Sequence, residues 1–213
     1  AKEIRHDVHA FLADVSEHVG DEARYLHLGP TSFDIQDTGF GMQLRQASDI
    51  IINDLENLLK VLAVKIEENK TTLCVGRSHG VHSEPTTFGF KLVNHYTAFS
   101  RAKERMIRAR EEISVCTISG AVGTYATIDP RVEAYVAEKL GIKQVDISSQ
   151  IISRDRHAMF FSTIAIVAAS IENLSTEMRH LQRTEVQEVE EYFDVWNKSS
   201  SVLPHKHNPI ASE

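Results

Sequence analysis

Residues 199–209 read S-S-S-V-L-P-H-K-H-N-P. Hydroxyl, imidazole, ammonium and amide groups crowd into this short stretch, and only Val202 and Leu203 are apolar. Serine and proline break helices, so the segment is either a tail or a loop whose side chains act on a ligand. Four more polar clusters stand out. They are R-H-D at Arg5–Asp7, followed by His9; Y-L-H-L-G-P-T-S-F-D at Tyr25–Asp34; G-R-S-H-G-V-H-S-E-P-T-T-F-G at Gly76–Gly89; and S-S-Q-I-I-S-R-D-R-H at Ser148–His157.

Histidine pairs such as His6/His9, His79/His82 and His205/His207 raise the question of a metal. There is no HExxH helix and none of the Cys/His spacings of structural zinc, so neither a metal nor a cofactor is expected. Gly120 and Gly123 match neither phosphate-binding fingerprint, and no G-x-S-x-G elbow supports a hydrolase. The net charge of −7 argues against nucleic acid or an acidic membrane as partner. Cys74 and Cys116 are too few for a disulfide framework and suit a reducing cytoplasm. The start shows no signal peptide. The longest run without Asp, Glu, Lys or Arg in the late apolar segment, His157–Ile171, is shorter than the roughly 20 residues of a membrane span.

The elements that must carry these clusters are long helices. Phe40, Leu44, Ala47, Ile51, Leu55, Leu58, Leu62 and Ile66 recur at steps averaging about 3.7 residues. With Asp34 as N-cap, this predicts a helix to about Asn69, roughly 50 Å long. A second helix is expected to begin after Pro85 and continue to about Ser119, through Phe88, Leu92, His95, Phe99, Met106 and Ile113. A third is expected through Phe160, Ile164, Val167, Ile171, Leu174, Met178 and Leu181. Arg183 to Glu191 should emerge into solvent. T-T-L-C-V-G reads as a short extended segment, and Arg131 to Leu140 as a shorter helix introduced by Pro130 and closed by Gly141. M-F-F-S-T-I-A-I-V-A-A-S-I is apolar nearly all the way round, and a helix of that kind must be surrounded. The fold class expected is an all-α bundle of long helices that oligomerises through a shared core.

At this point the motifs carry a resemblance. S-S-V-L-P-H-K-H-N-P resembles the signature loop G-S-S-x-M-P-x-K-x-N-P of the fumarase/aspartase superfamily, with Ser199 for glycine and Leu203 for methionine. G-R-S-H-G-V-H-S-E-P-T-T-F-G, R-H-D-V-x-A-F, S-G-A-V-G-T-Y-A and Q-x-x-x-R-D-R-H are similar to the corresponding segments of adenylosuccinate lyases. Ser78 stands where threonine is usual, Pro30 and Phe33 interrupt G-L-T-S-T-D, and His207 replaces a common arginine. The chain has no initiator Met and stops just after the loop. It is therefore expected to be a fragment: residues 1–33 ending an N-terminal helical domain, 34–213 the central bundle with signature loop 198–210, and a C-terminal domain outside it. The fragment alone is expected to be weakly active or inactive.

The resemblance implies β-elimination of fumarate from adenylosuccinate to give AMP, and from the succinyl-aminoimidazole carboxamide ribotide of purine synthesis. Such a reaction needs a base for a weakly acidic carbon, cations for the resulting carboxylates and an acid for the departing nitrogen. By resemblance Ser200 is the base, His79 the acid and Glu213 the carboxylate that orients it. Arg5, His6, Asp7, His27, Thr31, Ser32, Ser78, Gln150, Ser201, Lys206 and Asn208 fall on substrate-binding positions. The family is a homotetramer whose sites are shared between subunits. The predicted length of the first long helix agrees, because it separates His27 and Thr31 from His79. Argininosuccinate lyase, a fumarase-like enzyme and a non-catalytic structural relative are the alternatives.

Overall fold

The computed structural model describes residues 5–193 and 202–213. In chain order the elements are α1 (Asp7–Val19), a 3-10 turn (Gly20–Tyr25), α2 (Ser32–Glu68), β1 (Leu73–Ser78), β2 (Val81–Thr87) and α3 (Phe88–Ile113). There follow β3 (Val115–Cys116), α4 (Pro130–Leu140), β4 (Lys143–Gln144), α5 (Arg154–Leu181) and a 3-10 turn, Ile210–Ser212. The long-helix architecture expected from periodicity is the one observed. α2 runs 37 residues and α5 28.

Two boundaries differ from expectation, each for a local reason. Asp34 is not the N-cap of α2 but lies in its first turn, where its carboxylate accepts the Thr31 amide at 2.8 Å. That is half of a capping box. α3 begins at Phe88, after Pro85 as its apolar pattern requires, and Pro85 itself is paired with Val75 in a hairpin. The boundary that differs is its end, expected near Ser119. The helix stops at Ile113 because the next residues leave it as a buried strand.

The chain forms two compact units, Ala1–Ile51 with Met106–Phe161, and Ile52–Arg105 with Ser162–Glu213. In the first unit β3 and β4 pair in parallel, and α4 makes the crossover that a parallel pair requires. Apolar clusters of Val115, Val145 and Ile152, and of Cys116, Ala137 and Ile142, fill its centre. Asp129 caps α4, Pro130 starts it, and Gly141 closes it in the left-handed conformation (φ 62°). The guanidinium of Arg45 donates to the carbonyls of Leu140 and Gly141 at that end.

In the second unit Leu55, Leu62, Leu92, Phe99, Ala102, Val167 and Leu181 are buried. β1 and β2 form an antiparallel hairpin with a bulge between Val75 and Arg77. Lys91 pairs with Glu177, and Lys103 with Glu56 at 3.2 Å.

Within one copy, the described residues do not surround α5. Phe160 and Val167 are buried, but Phe161, Ile166 and Ile171 are 51, 47 and 48% exposed. Although its charge-free run is short, α5 is long and apolar enough to cross a membrane by length and composition.

Candidate active site

The hairpin of the second unit presents the imidazole that the sequence singled out. Ser78 pairs with Val81, so His79 and Gly80 are the two residues of the turn, with φ of 56° and 75°. Two consecutive left-handed residues are the signature of a turn whose twist matches a hairpin. Glycine accepts this freely, whereas histidine does so at a cost. The result is an exposed His79 at the very tip.

Behind the tip, Arg77 donates to Glu188 at 2.6 Å, with both side chains largely covered. The pairing raises the Arg77 guanidinium above its ordinary value and lowers the Glu188 carboxyl. The second guanidinium nitrogen of Arg77, Nη1, is buried and has no partner among the described residues. Glu188 also lines a cleft of about 1060 Å³, together with Gln182, Arg183, Lys206, Asn208 and Pro209. The last stretch of the chain is tied along this cleft. His207 stacks on Phe193 at 4.0 Å, and its Nδ1 meets Glu190 at 2.5 Å. The Glu191 carboxylate accepts the amides of Ala211 and Ser212. Lys206 and Asn208 thus sit in a cleft of mixed charge, where Arg179, Arg183 and Lys206 face Glu185, Glu188 and Glu190, and the Arg77–Glu188 ion pair ties it to the hairpin. Glu213 is exposed, and among the described residues no hydrogen bond or ion pair joins it to His79. Ser200 and Ser201, with Ser199, lie outside the described residues.

The first unit holds the other predicted residues. Arg5, His6 and Asp7 stand exposed at the start of α1. His6 is the N-cap, its Nδ1 accepting the His9 amide at 3.3 Å. The Asp7 carboxyl is held below its usual value, first by the Val8 amide, and accepts the Gln36 amide group at 3.2 Å. His27 is left-handed (φ 62°), and its buried Nε2 has no partner among the described residues. Thr31 and Ser32 stand at the N-terminus of α2, whose unpaired amides favour an anion. Gln150 is exposed in the loop before α5. No group of three His, Cys, Asp or Glu side chains among the described residues is arranged to hold a metal ion.

Three buried carboxylates hold these loops: Asp34, expected only to cap α2, and Asp37 and Glu133, which no motif marked. Asp34 accepts the amides of Thr31, Ser119 (3.2 Å) and Gly120 (3.0 Å). Burial pushes its carboxyl up, against the pull of those three amides. Asp37 accepts the Ile152 amide at 2.9 Å and Arg154 at 3.0 Å, which explains the first arginine of R-D-R-H as a structural tie. Glu133 accepts the Ile118 amide at 2.6 Å and the Tyr125 hydroxyl at 2.9 Å. Burial, with Glu133 adding to it, pushes the Tyr125 phenol up to about 12. Among these ties Thr117, Ser119 and Ser148 hydroxyls close a triangle of 2.7–2.9 Å. The available signal was periodicity: counted back in threes from Phe40, the apolar stripe of α2 lands on Asp37 and Asp34.

The site residues therefore fall into two sets. Arg5, His6, Asp7, His27, Thr31, Ser32 and Gln150 belong to the first unit, and Ser78, His79, Lys206, Asn208 and Glu213 to the second.

Comparison with known proteins is specific. Residues 2–213 match the family model described as "Lyase". Adenylosuccinate lyase of Synechocystis sp. is 51% identical over 211 residues, which are 99% of this chain and 49% of that protein. Adenylosuccinate lyase of Bacillus subtilis is 50% identical over 212 residues, again 49% of its length. Among solved structures, 3-carboxy-cis,cis-muconate lactonizing enzyme from Pseudomonas putida superposes with a TM-score of 0.86 at 33% identity, covering 96% of this chain and 46% of that one. Fumarate lyase from Mesorhizobium sp. BNC1 gives 0.81 at 29% identity, covering 87% and 44%. The chain spans about half the length of the curated relatives it matches.

Proposed function

Since the chain belongs to the lyase family of the fumarase/aspartase superfamily, we propose that it is the central part of an adenylosuccinate lyase. The reaction is elimination of fumarate from adenylosuccinate to give AMP, and from the succinyl-aminoimidazole carboxamide ribotide. The observation that carries this reading is the placement of His79. An imidazole held at a hairpin tip in a backbone conformation costly for it, and exposed there, is presented to a ligand rather than used in packing.

In the proposed mechanism Ser200 removes the proton from the carbon beside the departing amine's carbon. The electron pair forms the fumarate double bond, the C–N bond breaks, and His79 delivers a proton to the leaving nitrogen. Lys206 holds a succinyl carboxylate by charge and Asn208 by hydrogen bonds. Ser78 and Ser201 flank the reacting end, and Glu213 orients His79 once the site is assembled. Arg5, His6, Asp7, His27, Thr31, Ser32 and Gln150 take the nucleotide, with its phosphate at Arg5 and the α2 N-terminus. No cofactor enters.

The assembly proposed is a homotetramer in the cytoplasm, with residues 34–213 as its bundle domain and sites built from more than one copy. The half-exposed apolar face of α5 supports it, because a second copy would remove that face from water. The test is fumarate release by the full-length enzyme. Ser200→Ala and His79→Asn are each expected to lower kcat by about 10²- to 10⁴-fold. Mixing the two inactive proteins should restore activity if base and acid come from different copies. Undiminished turnover in either variant refutes the assignment, and failure of the mixture to recover refutes the sharing.

A further inference from the structure

We propose that His9, which the elimination itself does not use, is the positioning residue of the nucleotide-holding cluster: its ring fixes the rings of His6 and His27. The inference rests on the reading above for what those two imidazoles hold. His9 stands three residues after the N-cap of α1, the position that faces the cap. Its ring meets that of His6 edge-on, centroids 4.5 Å apart at 64°, and lies over that of His27 at 5.2 Å and 15°. One exposed side chain therefore touches two residues that are distant in sequence. It joins the start of α1 to the left-handed residue that closes the turn before α2.

His6 and His27 have little else to fix their planes. The Nδ1 of His6 is engaged by the backbone amide of residue 9, which holds the ring at one atom only. Among the described residues the buried Nε2 of His27 has no partner, so no hydrogen bond from them sets its rotation there. Flat stacking against His9 supplies that restraint, and it comes from the face of a ring rather than from a charge or a donor. A phenyl group would serve as well, whereas a methyl group or a branched aliphatic side chain would not.

The experiment compares His9→Ala and His9→Phe in the full-length enzyme with two readouts. The first is the KM for adenylosuccinate against kcat. His9→Ala should raise KM by about three- to tenfold, the size of a lost aromatic contact, with kcat within about twofold. His9→Phe should keep both within about twofold of wild type. The second readout needs no substrate: the rate of carbethoxylation of His27 by diethyl pyrocarbonate, followed by mass spectrometry of the peptides. Freed of its covering ring, His27 should react about threefold or more faster in His9→Ala, and at the wild-type rate in His9→Phe. An unchanged His27 rate overturns the proposal, as does a phenylalanine variant as impaired as the alanine one. If wild type fails to cleave adenylosuccinate while the His27 rates behave as stated, the substrate reading falls and the positioning role stands.

Discussion

Replacing Asp34 by Asn changes one oxygen to an amide nitrogen and almost no volume, so it isolates what the carboxylate does. In the wild type Oδ2 accepts Thr31 and Gly120, and Oδ1 accepts Ser119. An asparagine has one acceptor and will place it where two amides converge, in the position of Oδ2. Its NH2 group then faces the Ser119 amide, donor against donor. Leaving one buried donor unsatisfied costs about 1–3 kcal/mol. Removing a charge that burial already opposes returns part of this, giving a net loss of about 1–2 kcal/mol. For a chain of this size that is a fall in Tm of about 2–8 °C.

The site-specific assay is amide hydrogen exchange. Ser119 should exchange about 5- to 30-fold faster, whereas Thr31 and Gly120 should be little changed. The pH dependence has a defined sign. Asp34 titrates above its ordinary value in the folded chain, so the folded state holds the proton more tightly than the unfolded one across that window. This contribution to stability falls as pH rises through it, and the gap between wild type and Asp34→Asn narrows in the same direction. Unaltered Ser119 exchange, or equal acceleration of all three amides, would refute the asymmetric-acceptor argument.

Two further predictions follow from the other ties. Glu188→Ala unlinks the hairpin from the cleft and, with the chemistry proposed, should lower kcat about three- to tenfold through misplacement of His79. Arg77→Ala should do the same and the double variant no worse, since both remove one interaction; additive losses would disprove the link. In an alkaline titration followed at 295 nm, one tyrosine, Tyr125, should ionise near 12. Its folded value lies above the unfolded value of about 10, so stability should decline as pH rises from about 10 to 12. Glu133→Gln should bring that tyrosine down, and a Tyr125 unaffected by it would refute the assignment.

The rods of this fold were legible because their signal is local. A stripe repeating every three to four residues can satisfy only a helix, and both α2 and α5 obey it almost to the residue. The end of α3, expected near Ser119, falls at Ile113, because Val115 and Cys116 leave the helix to pair as a strand with Lys143 and Gln144, partners that no local pattern reveals. The turn at His79 left a fainter trace. A histidine and a glycine between two runs rich in Val and Thr fit a two-residue hairpin connection, yet His is not a residue one expects in left-handed backbone. What it does there came from the resemblance and not from the pattern.

The carboxylates were harder for a different reason, and it bears on how the first unit works. Asp34 finds its partners at 119 and 120, and Asp37 at 152 and 154. Separations of this kind leave no periodic mark at the receiving end. Ser119 to Ile128 has no regular structure, so its amides have no ladder to pair with. Side-chain acceptors from α2 and α4 take that role for Ile118, Ser119 and Gly120. Gly29 and Gly123 then admit backbone contacts that a Cβ would obstruct, at 2.4 Å from the Thr127 carbonyl oxygen and 2.1 Å from that of Ser148. The acidic residues at the head of α2 thus anchor loops more than they cap a helix. A carboxylate suits that position because it offers two acceptor atoms and no donor, whereas a hydroxyl or an amide would bring a donor of its own into a space already full of N–H groups.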